Sequence, residues 1–257
     1  MAMTSLWDGA SSDFGSWREQ LWQPLADLLV AEAQPAPGEL VLDACCGNGT
    51  SAIPAARAVG PRGRVDAIDV SPAMIRQAEY QSRALPQLSY AVAEISQWRS
   101  ELRYDLVLCG FGVFFLGDPE LAVKQLCSRL RPGGRLAFSC WQNRPFEPLV
   151  STVLAACAEE GVVTKASAEA RNIGKLNSAE KLQALAAACS LQDFRVQPVP
   201  YRVPLTPDSA WHFVQGSLLR AALPAEPAAQ QRIRSRIRAS VQGMELHADA
   251  LIGVGIH

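Results

Sequence analysis

A glycine turn that joins an apolar run to an Ala-rich segment constrains this sequence most. The run from Leu40 to Leu42 is typical of a buried strand, and the segment that follows Thr50 has helical composition. Gly47 and Gly49 lie between the two. Because neither residue has a Cβ, the backbone can turn sharply there and a ligand can approach the amides that open the helix. The turn therefore predicts a site for a nucleotide-like ligand.

A second predicted strand ends in an acid. The run from Arg64 to Val70 contains Asp69, which lies 20 residues after Gly49. A parallel sheet presents a carboxylate at this position to the two hydroxyls of a ribose. We therefore expect an adenosine-containing cofactor.

Two adenosine cofactors fit this pattern, and the charge of Asp43 separates them. Segment 47–52, together with Asp69, also matches the dinucleotide-binding fingerprint, a pattern that many parallel-sheet proteins share. A carboxylate beside the turn repels a pyrophosphate, whereas it attracts the ammonium group of a methionine tail. The sign of the charge favours S-adenosylmethionine over NAD.

With these features the sequence resembles the seven-strand, class I S-adenosylmethionine-dependent methyltransferases. Val41–Gly49 corresponds to the first motif of that family and Ala67–Val70 to the second. The double cysteine before Gly47 is similar to the branch that acts in menaquinone and ubiquinone biosynthesis. Cys45 stands where this family usually has the first glycine of its triplet.

A further family signature follows the fourth predicted strand. The segment Leu130-Arg131-Pro132-Gly133-Gly134 ends a predicted helix and precedes the predicted strand Arg135–Trp141. Dinucleotide enzymes have no reason to repeat this motif. The resemblance is specific over residues 37–141.

The resemblance implies a fold and a set of cofactor-binding residues. The expected fold class is α/β, with a doubly wound, mostly parallel seven-stranded sheet, helical cap elements, and a last strand at 250–256 that inserts antiparallel between the fifth and sixth. The family places Val70 and Met74 against adenine, and Glu94 at its amino group, where an aspartate is more frequent. The full expected set is Asp43, Gly47, Asn48, Gly49, Asp69, Val70, Met74, Glu94, Ile95, Cys109 and Gly110.

Two groups of residues are candidates for the acceptor side. Phe111, Phe114 and Phe115 follow the fourth predicted strand, so they either wall an acceptor pocket or pack beneath it. His212 begins a predicted helix and is a candidate substrate-binding residue and general base, because a neutral imidazole can take up a proton near neutral pH. Its alternative role is packing on that helix, with the imidazole satisfied by a backbone carbonyl or water.

We expect one methyltransferase domain over residues 1–257. Residues 1–37 would form an N-terminal helical cap, 38–203 with 245–257 a Rossmann-like core, and 204–244 a helical cap insertion. In this family, insertions at the last position commonly shape the acceptor pocket.

Two tryptophans of the expected N-terminal cap lie on predicted helices. Leucines at helical spacing predict helices over 16–22 and 24–33. Trp17 and Trp22 on these helices either close over the cofactor or pack against the core, which is the commoner role of an aromatic residue on an amphipathic helix.

Composition favours an enzyme that acts on small molecules. The net charge of −1 leaves no surplus of Lys and Arg to hold nucleic acid or an acidic membrane. The seven cysteines form no C-x-x-C pair, and the three histidines lack ligand spacing, so we expect no metal. No apolar run reaches signal-peptide or bilayer length, and Arg outnumbers Lys, so we expect a cytoplasmic, bacterial protein.

The resemblance implies transfer of a methyl group from S-adenosyl-L-methionine to an O, N or C nucleophile of a small molecule, in bacterial secondary or quinone-like metabolism. S-adenosyl-L-homocysteine is the expected second product. One alternative is a protein of this fold that binds the cofactor and catalyses a different reaction or none. Another is a NAD-dependent oxidoreductase, which Asp43 and the Pro-Gly-Gly motif disfavour.

Overall fold

A seven-stranded sheet forms the centre of the protein. The computed structural model describes residues 3–257, so residues 1 and 2, where the expected cap begins, lie outside the described residues. The strands of the sheet are β1 (Leu40–Ala44), β2 (Arg64–Asp69), β3 (Leu88–Val92), β4 (Tyr104–Cys109), β5 (Leu130–Trp141), β6 (Gln192–Val199) and, last in the chain, β9 (Ala250–Ile256). A separate antiparallel ribbon consists of β7 (Arg202–Pro204) and β8 (Glu245–His247).

The order of the strands places the carboxyl ends of the parallel strands at the predicted site. The order is β3-β2-β1-β4-β5-β9-β6, and β1 to β5 run parallel. The last strand, β9, lies antiparallel between β5 and β6, which confirms the predicted fold class. The chain order reverses between β1 and β4, and open parallel sheets bind ligands at such a switch point, outside the carboxyl ends of the strands.

Ten α-helices flank the sheet within residues 3–257: α1 (Met3–Ser16), α2 (Gln23–Ala33), α3 (Ala52–Val59), α4 (Pro72–Gln81), α5 (Pro119–Cys127), α6 (Leu149–Glu159), α7 (Ala168–Leu176), α8 (Ala179–Ala188), α9 (Pro207–Gln215) and α10 (Pro227–Ser240). A π-helical turn, Arg18–Trp22, joins α1 to α2, and short 3₁₀ turns occur at Gly60–Arg62, Val113–Phe115 and Leu218–Ala222. None of the helices in this range combines the length and apolar character that a membrane crossing requires.

The sequence encodes the central elements locally. Both β1 and β4 are almost fully buried along their length, as expected of parallel strands covered on both faces. The predicted caps Ser71 and Asp118 accept hydrogen bonds from the first-turn amides of α4 and α5. α1 packs against α4 and α9, and α10 packs against α9 and α6. The N-terminal and C-terminal helical segments therefore meet above the carboxyl ends of the strands.

Several predicted elements are wrong at their ends. The first helix starts at Met3 and not near Ser16, and α7 has no predicted counterpart. The sequence also predicts one strand over 194–203, but the chain divides there into β6 and β7 at Pro200, which has no amide to donate to a ladder. It predicts a helix over 207–220, but α9 ends at Gln215; the next residue, Gly216, lies against α1, where a Cβ would be 2.5 Å from the amide nitrogen of Phe14.

The Pro-Gly-Gly motif lies inside a strand and does not follow a helix directly. α5 ends at Cys127, and β5 begins at Leu130. Gly133 has a φ of +74°, and its amide donates to the carbonyl of His257. The motif therefore bends the start of β5 and ties it to the end of β9.

Candidate active site

A cavity opens at the carboxyl ends of β1 to β5, and its wall has two halves. The turn half consists of residues at or after the ends of β1, β2 and β3: Cys45, Cys46, Gly47, Thr50, Ser51, Ile68, Asp69, Val70, Met74, Ala93, Glu94 and Ile95. The aromatic half consists of residues after β4 and β5 and on the surrounding helices: Met3, Trp7, Phe14, Trp22, Ala26, Leu29, Gly110, Phe111, Gly112, Phe114, Phe115, Leu116, Ser139, Trp141, Phe146, Ile173, Ser217 and Leu218.

The glycine turn is held by its own backbone. The amide of Gly49 donates to the carbonyl of Cys46 at 2.9 Å, and the amide of Cys46 donates to the carbonyl of Ile68 at 3.0 Å. Cys45 has a φ of +60°, and Gly47 has a φ of +53°. This left-handed conformation explains why glycine is usual at position 45, since a side chain there costs about 1 kcal/mol or more.

Asp69 connects the turn to the open cavity. Its Oδ2 accepts from the amide of Gly47 at 2.9 Å, and its Oδ1 accepts from the amide of Ser71 at 2.9 Å. Burial raises the pKa of Asp69, while these backbone hydrogen bonds oppose the rise. A carboxylate has about four acceptor positions, so two remain for hydroxyl donors in the cavity.

Asp43 lies one layer behind the cavity wall. Its side chain is fully buried, and its Oδ2 accepts from Ser51 Oγ at 2.7 Å. Its Oδ1 has no hydrogen-bond partner. Burial raises the pKa of Asp43 to about 7, against the hydrogen bond from Ser51, and the nearby charge of Asp69 adds to the rise. Ser51 lines the cavity, so it separates Asp43 from the space that a ligand would occupy.

Three other residues of the expected cofactor set also lie behind the wall. Asn48 is buried, and its backbone carbonyl and side-chain Oδ1 accept from the guanidinium of Arg18, at 3.0 and 3.3 Å. Gly49 faces the core, because a Cβ there would be 2.9 Å from the hydroxyl of Tyr90. Cys109 is buried at the end of β4. These residues shape the turn and the floor but do not line the cavity.

The ends of β2 and β3 provide an apolar surface beside Asp69. Val70, Met74 and Ile95 line this part of the cavity, and Met74 and Ile95 are buried. Glu94 is exposed at the rim, where its Oε2 accepts from Gln97 Nε2 at 3.3 Å. The residues expected around an adenine therefore lie together.

Seven aromatic side chains, which we call the aromatic cluster, dominate the other half. Phe111 stacks on Trp141 with ring centroids 3.9 Å apart, and Phe14 stacks on Trp22 at 4.5 Å. Trp22 meets both Phe111 and Trp141 edge-on, at 6.3 and 6.1 Å. The members are Trp7, Phe14, Trp22, Phe111, Phe115, Trp141 and Phe146.

The three phenylalanines after β4 lie at the cavity. Phe111, Phe114 and Phe115 all line it, although Phe114 is almost fully buried and its ring lies 4.7 Å from that of Phe115. Phe111 has a φ of +51°, and its amide donates to Ser139 Oγ at 3.0 Å. This hydrogen bond fixes the bend that turns the Phe111 ring toward Trp141.

His212 does not line the cavity. It lies on α9 with half of its side chain exposed, and its Nδ1 is 2.6 Å from Asp13 Oδ1 on α1. Trp17 is buried, and its indole donates to the carbonyl of Ser209, so it packs α9 against the cap. Trp22, in contrast to Trp17, lines the cavity.

Comparisons with known proteins agree with this geometry. A family model described as a methyltransferase domain matches residues 41–134. Aklanonic acid methyltransferase DauC from Streptomyces sp. is 35% identical over 140 residues, which cover 53% of this chain and 64% of the relative. The 2-phytyl-1,4-naphtoquinone methyltransferase of Synechococcus elongatus is 28% identical over 173 residues, which cover 64% of this chain and 70% of the relative.

The likeness in structure extends over most of the chain. A SAM-dependent methyltransferase from Geobacter sulfurreducens, in complex with S-adenosyl-L-homocysteine, has the same fold with a TM-score of 0.57, at 18% identity and 91% coverage of both chains. Residues 41–134 thus resemble a methyltransferase domain, and the chain shares the fold of that solved methyltransferase. It spans less than two thirds of the length of the Streptomyces relative.

Sequence reasoning missed part of the cavity wall. Trp141 ends the fifth strand at the same edge as Phe111, so its position on the sheet could have identified it. Trp7 and Phe14 lie seven residues apart, a spacing that puts both on one face of a helix. The predicted start of the first helix, near Ser16, left this pair outside any element.

Proposed function

We propose that this protein is a methyltransferase, which transfers the methyl group of S-adenosyl-L-methionine to a small-molecule acceptor that lies against the aromatic cluster. The position of Asp69 carries the proposal. Its carboxylate holds the glycine turn by one oxygen, faces the cavity, and keeps acceptor capacity for ribose hydroxyls.

The residues around the turn fit the remaining parts of the donor. Val70, Met74 and Ile95 would pack on adenine, and Glu94 would accept from its amino group. The unpartnered Oδ1 of Asp43, with its pKa raised to about 7, fits a cation nearby, since a positive charge would stabilise the ionised form. Asp43 would act on the donor's ammonium group at the distance set by Ser51.

Positioning would supply most of the rate enhancement. When bound, the donor supplies an electrophilic methyl group, and the wall of the cavity would hold the acceptor atom in line with it. The aromatic cluster would exclude water from the reacting atoms. Among the described residues, those of the aromatic half include no Asp, Glu, His, Lys, Arg, Cys or Tyr, so this wall contains no general base.

The relatives support an acceptor from bacterial secondary or quinone-like metabolism. Two of them are named for aklanonic acid and for 2-phytyl-1,4-naphthoquinone. No basic side chain lines the cavity within residues 3–257, which disfavours a phosphorylated acceptor.

We predict that S-adenosyl-L-methionine and S-adenosyl-L-homocysteine raise the melting temperature of the protein, whereas NAD and NADP do not. A ligand that binds only the folded state stabilises it by about 2.7 kcal/mol at a concentration 100 times its dissociation constant. Differential scanning fluorimetry with the four compounds at equal concentration tests the choice of donor. Stabilisation by the nicotinamide cofactors alone would overturn the proposal.

We predict that His212→Gln leaves turnover within about threefold of the wild-type value, because a general base contributes about a hundredfold or more and this imidazole lies outside the cavity. Transfer of a radiolabelled methyl group to the identified acceptor measures the effect. A hundredfold drop with unchanged donor affinity would instead make His212 the base.

A further inference from the structure

Trp22 carries a polar group that the rest of the protein leaves without a partner. Its indole Nε1–H is buried and makes no hydrogen bond. Within residues 3–257, several buried side-chain N and O atoms lack a hydrogen-bond partner. Among them, Trp22 Nε1 is the one whose residue lines the cavity. An indole nitrogen can only donate, and a buried donor without an acceptor costs about 1 to 3 kcal/mol. A ligand oxygen would remove that cost.

The surroundings of this donor are aromatic surfaces. Trp22 lies between its stacking partner, Phe14, and the stacked pair of Phe111 and Trp141. Aromatic side chains favour offset-stacked and edge-to-face neighbours, so a flat ring system can contact several of them at once. A saturated ring of the same size presents neither a π face nor a planar shape.

The polar lining of the aromatic half restricts the acceptor further. Its polar side chains within the described residues are Ser139 and Ser217, apart from the indole nitrogens. Neither serine removes a proton readily at neutral pH, so an oxygen acceptor has to ionise without help from this wall. Acidic phenols, enols and carboxylic acids do so.

We infer that the acceptor is a planar, multi-ring aromatic compound with an acidic oxygen group, and that Trp22 Nε1–H donates a hydrogen bond to one of its ring oxygens. The inference rests on the proposed function, because it names the acceptor of that methyl transfer. The acceptor loses its proton to solvent on ionisation. Its oxygen anion then forms the O–CH₃ bond, while the S–CH₃ bond breaks and its electron pair stays on sulfur as the neutral thioether.

Calorimetric titration of three probes tests the inference, each with the wild-type protein in the presence of S-adenosyl-L-homocysteine. The probes are 2-hydroxy-1,4-naphthoquinone, naphthalene and the saturated alcohol decahydro-2-naphthol. We expect the hydroxynaphthoquinone to bind about tenfold or more tightly than the saturated alcohol. Equal affinities for these two probes would overturn the inference. This test uses only the folded wild-type protein and needs no variant.

Trp22→Phe isolates the hydrogen bond, since it keeps a ring in the aromatic cluster but removes the N–H. We expect it to weaken the hydroxynaphthoquinone about tenfold or more and naphthalene less than about twofold. Trp17→Phe is the matched control, because Trp17 Nε1 already donates to Ser209 and does not line the cavity. Unchanged binding of the hydroxynaphthoquinone to a folded Trp22→Phe variant would overturn the role of the indole.

The same titrations separate this inference from the proposed function. Binding of S-adenosyl-L-homocysteine alone tests the donor, and binding of the hydroxynaphthoquinone to the protein without it tests the aromatic half. If the hydroxynaphthoquinone binds and S-adenosyl-L-homocysteine does not, the proposed methyl transfer is contradicted and the inference about the aromatic half stands. If S-adenosyl-L-homocysteine binds and the hydroxynaphthoquinone does not, the proposed methyl transfer stands and the inferred class of acceptor is contradicted.

Discussion

Asp69→Ala is expected to weaken the binding of S-adenosyl-L-methionine by about 1.5 to 3 kcal/mol, or by about tenfold to more than a hundredfold, because the ribose hydroxyls lose a charged acceptor. Isothermal titration calorimetry measures the change. Unchanged affinity in the folded variant would show that this carboxylate serves the fold alone.

Asp118→Ala is the matched control for this experiment. Asp118 accepts from the amides of Glu120 and Leu121 at the start of α5, much as Asp69 accepts from those of Gly47 and Ser71. Both substitutions leave two backbone donors without an acceptor, so both should lower the free energy of unfolding. Asp118 does not line the cavity, and its loss should leave donor affinity unchanged.

Asp43→Asn is expected to stabilise the ligand-free protein at pH 8, relative to the wild type, and to change its stability little near pH 4. Burial raises the pKa of Asp43 from 3.8 to about 7. Between these two values, the unfolded state ionises while the folded state holds its proton, so the wild-type free energy of unfolding falls as the pH rises. The full effect is up to roughly 4 kcal/mol, at about 1.4 kcal/mol for each pH unit.

Urea denaturation of both proteins at several values between pH 4 and pH 8 measures this difference. The stability gain of Asp43→Asn should grow across the window from pH 4 to pH 7 and then level off. A gain that is constant with pH would mean that Asp43 is already ionised in the folded protein. The same variant should lose part of the stabilisation by S-adenosyl-L-methionine, because the neutral amide attracts the donor's ammonium group less strongly.

Short sequence patterns predicted the turn half of the site, because that half is formed by residues close to one another in the chain. The glycine turn, the acid at the end of β2 and the cap at Ser71 lie within one strand-turn-helix unit each, so their spacing carries the information. The insertion of β9 between β5 and β6 came from the family resemblance. Short, polar elements such as α7 and the three-residue strands β7 and β8 have little signal of their own, since their pairing depends on the rest of the fold.

Contacts between distant segments were not predictable in the same way. The aromatic cluster joins Trp7 and Phe14 from the start of the chain to Trp141 and Phe146, and no short spacing links them. The negative charge of Asp43 indicated a cation nearby, but the sequence does not reveal that Ser51 lies between Asp43 and the cavity. His212 looked available as a base because its partner, Asp13, lies 199 residues away in the chain.

A crystal structure of the protein with S-adenosyl-L-homocysteine tests the central claim most directly. We predict that the ribose hydroxyls lie within hydrogen-bond distance of Asp69, that the adenine packs on Val70, Met74 and Ile95, and that the sulfur faces the aromatic cluster. Binding of the nucleoside outside this cavity, or a cavity that stays empty at saturating ligand with Asp69 bonded only to Gly47 and Ser71, would contradict the account.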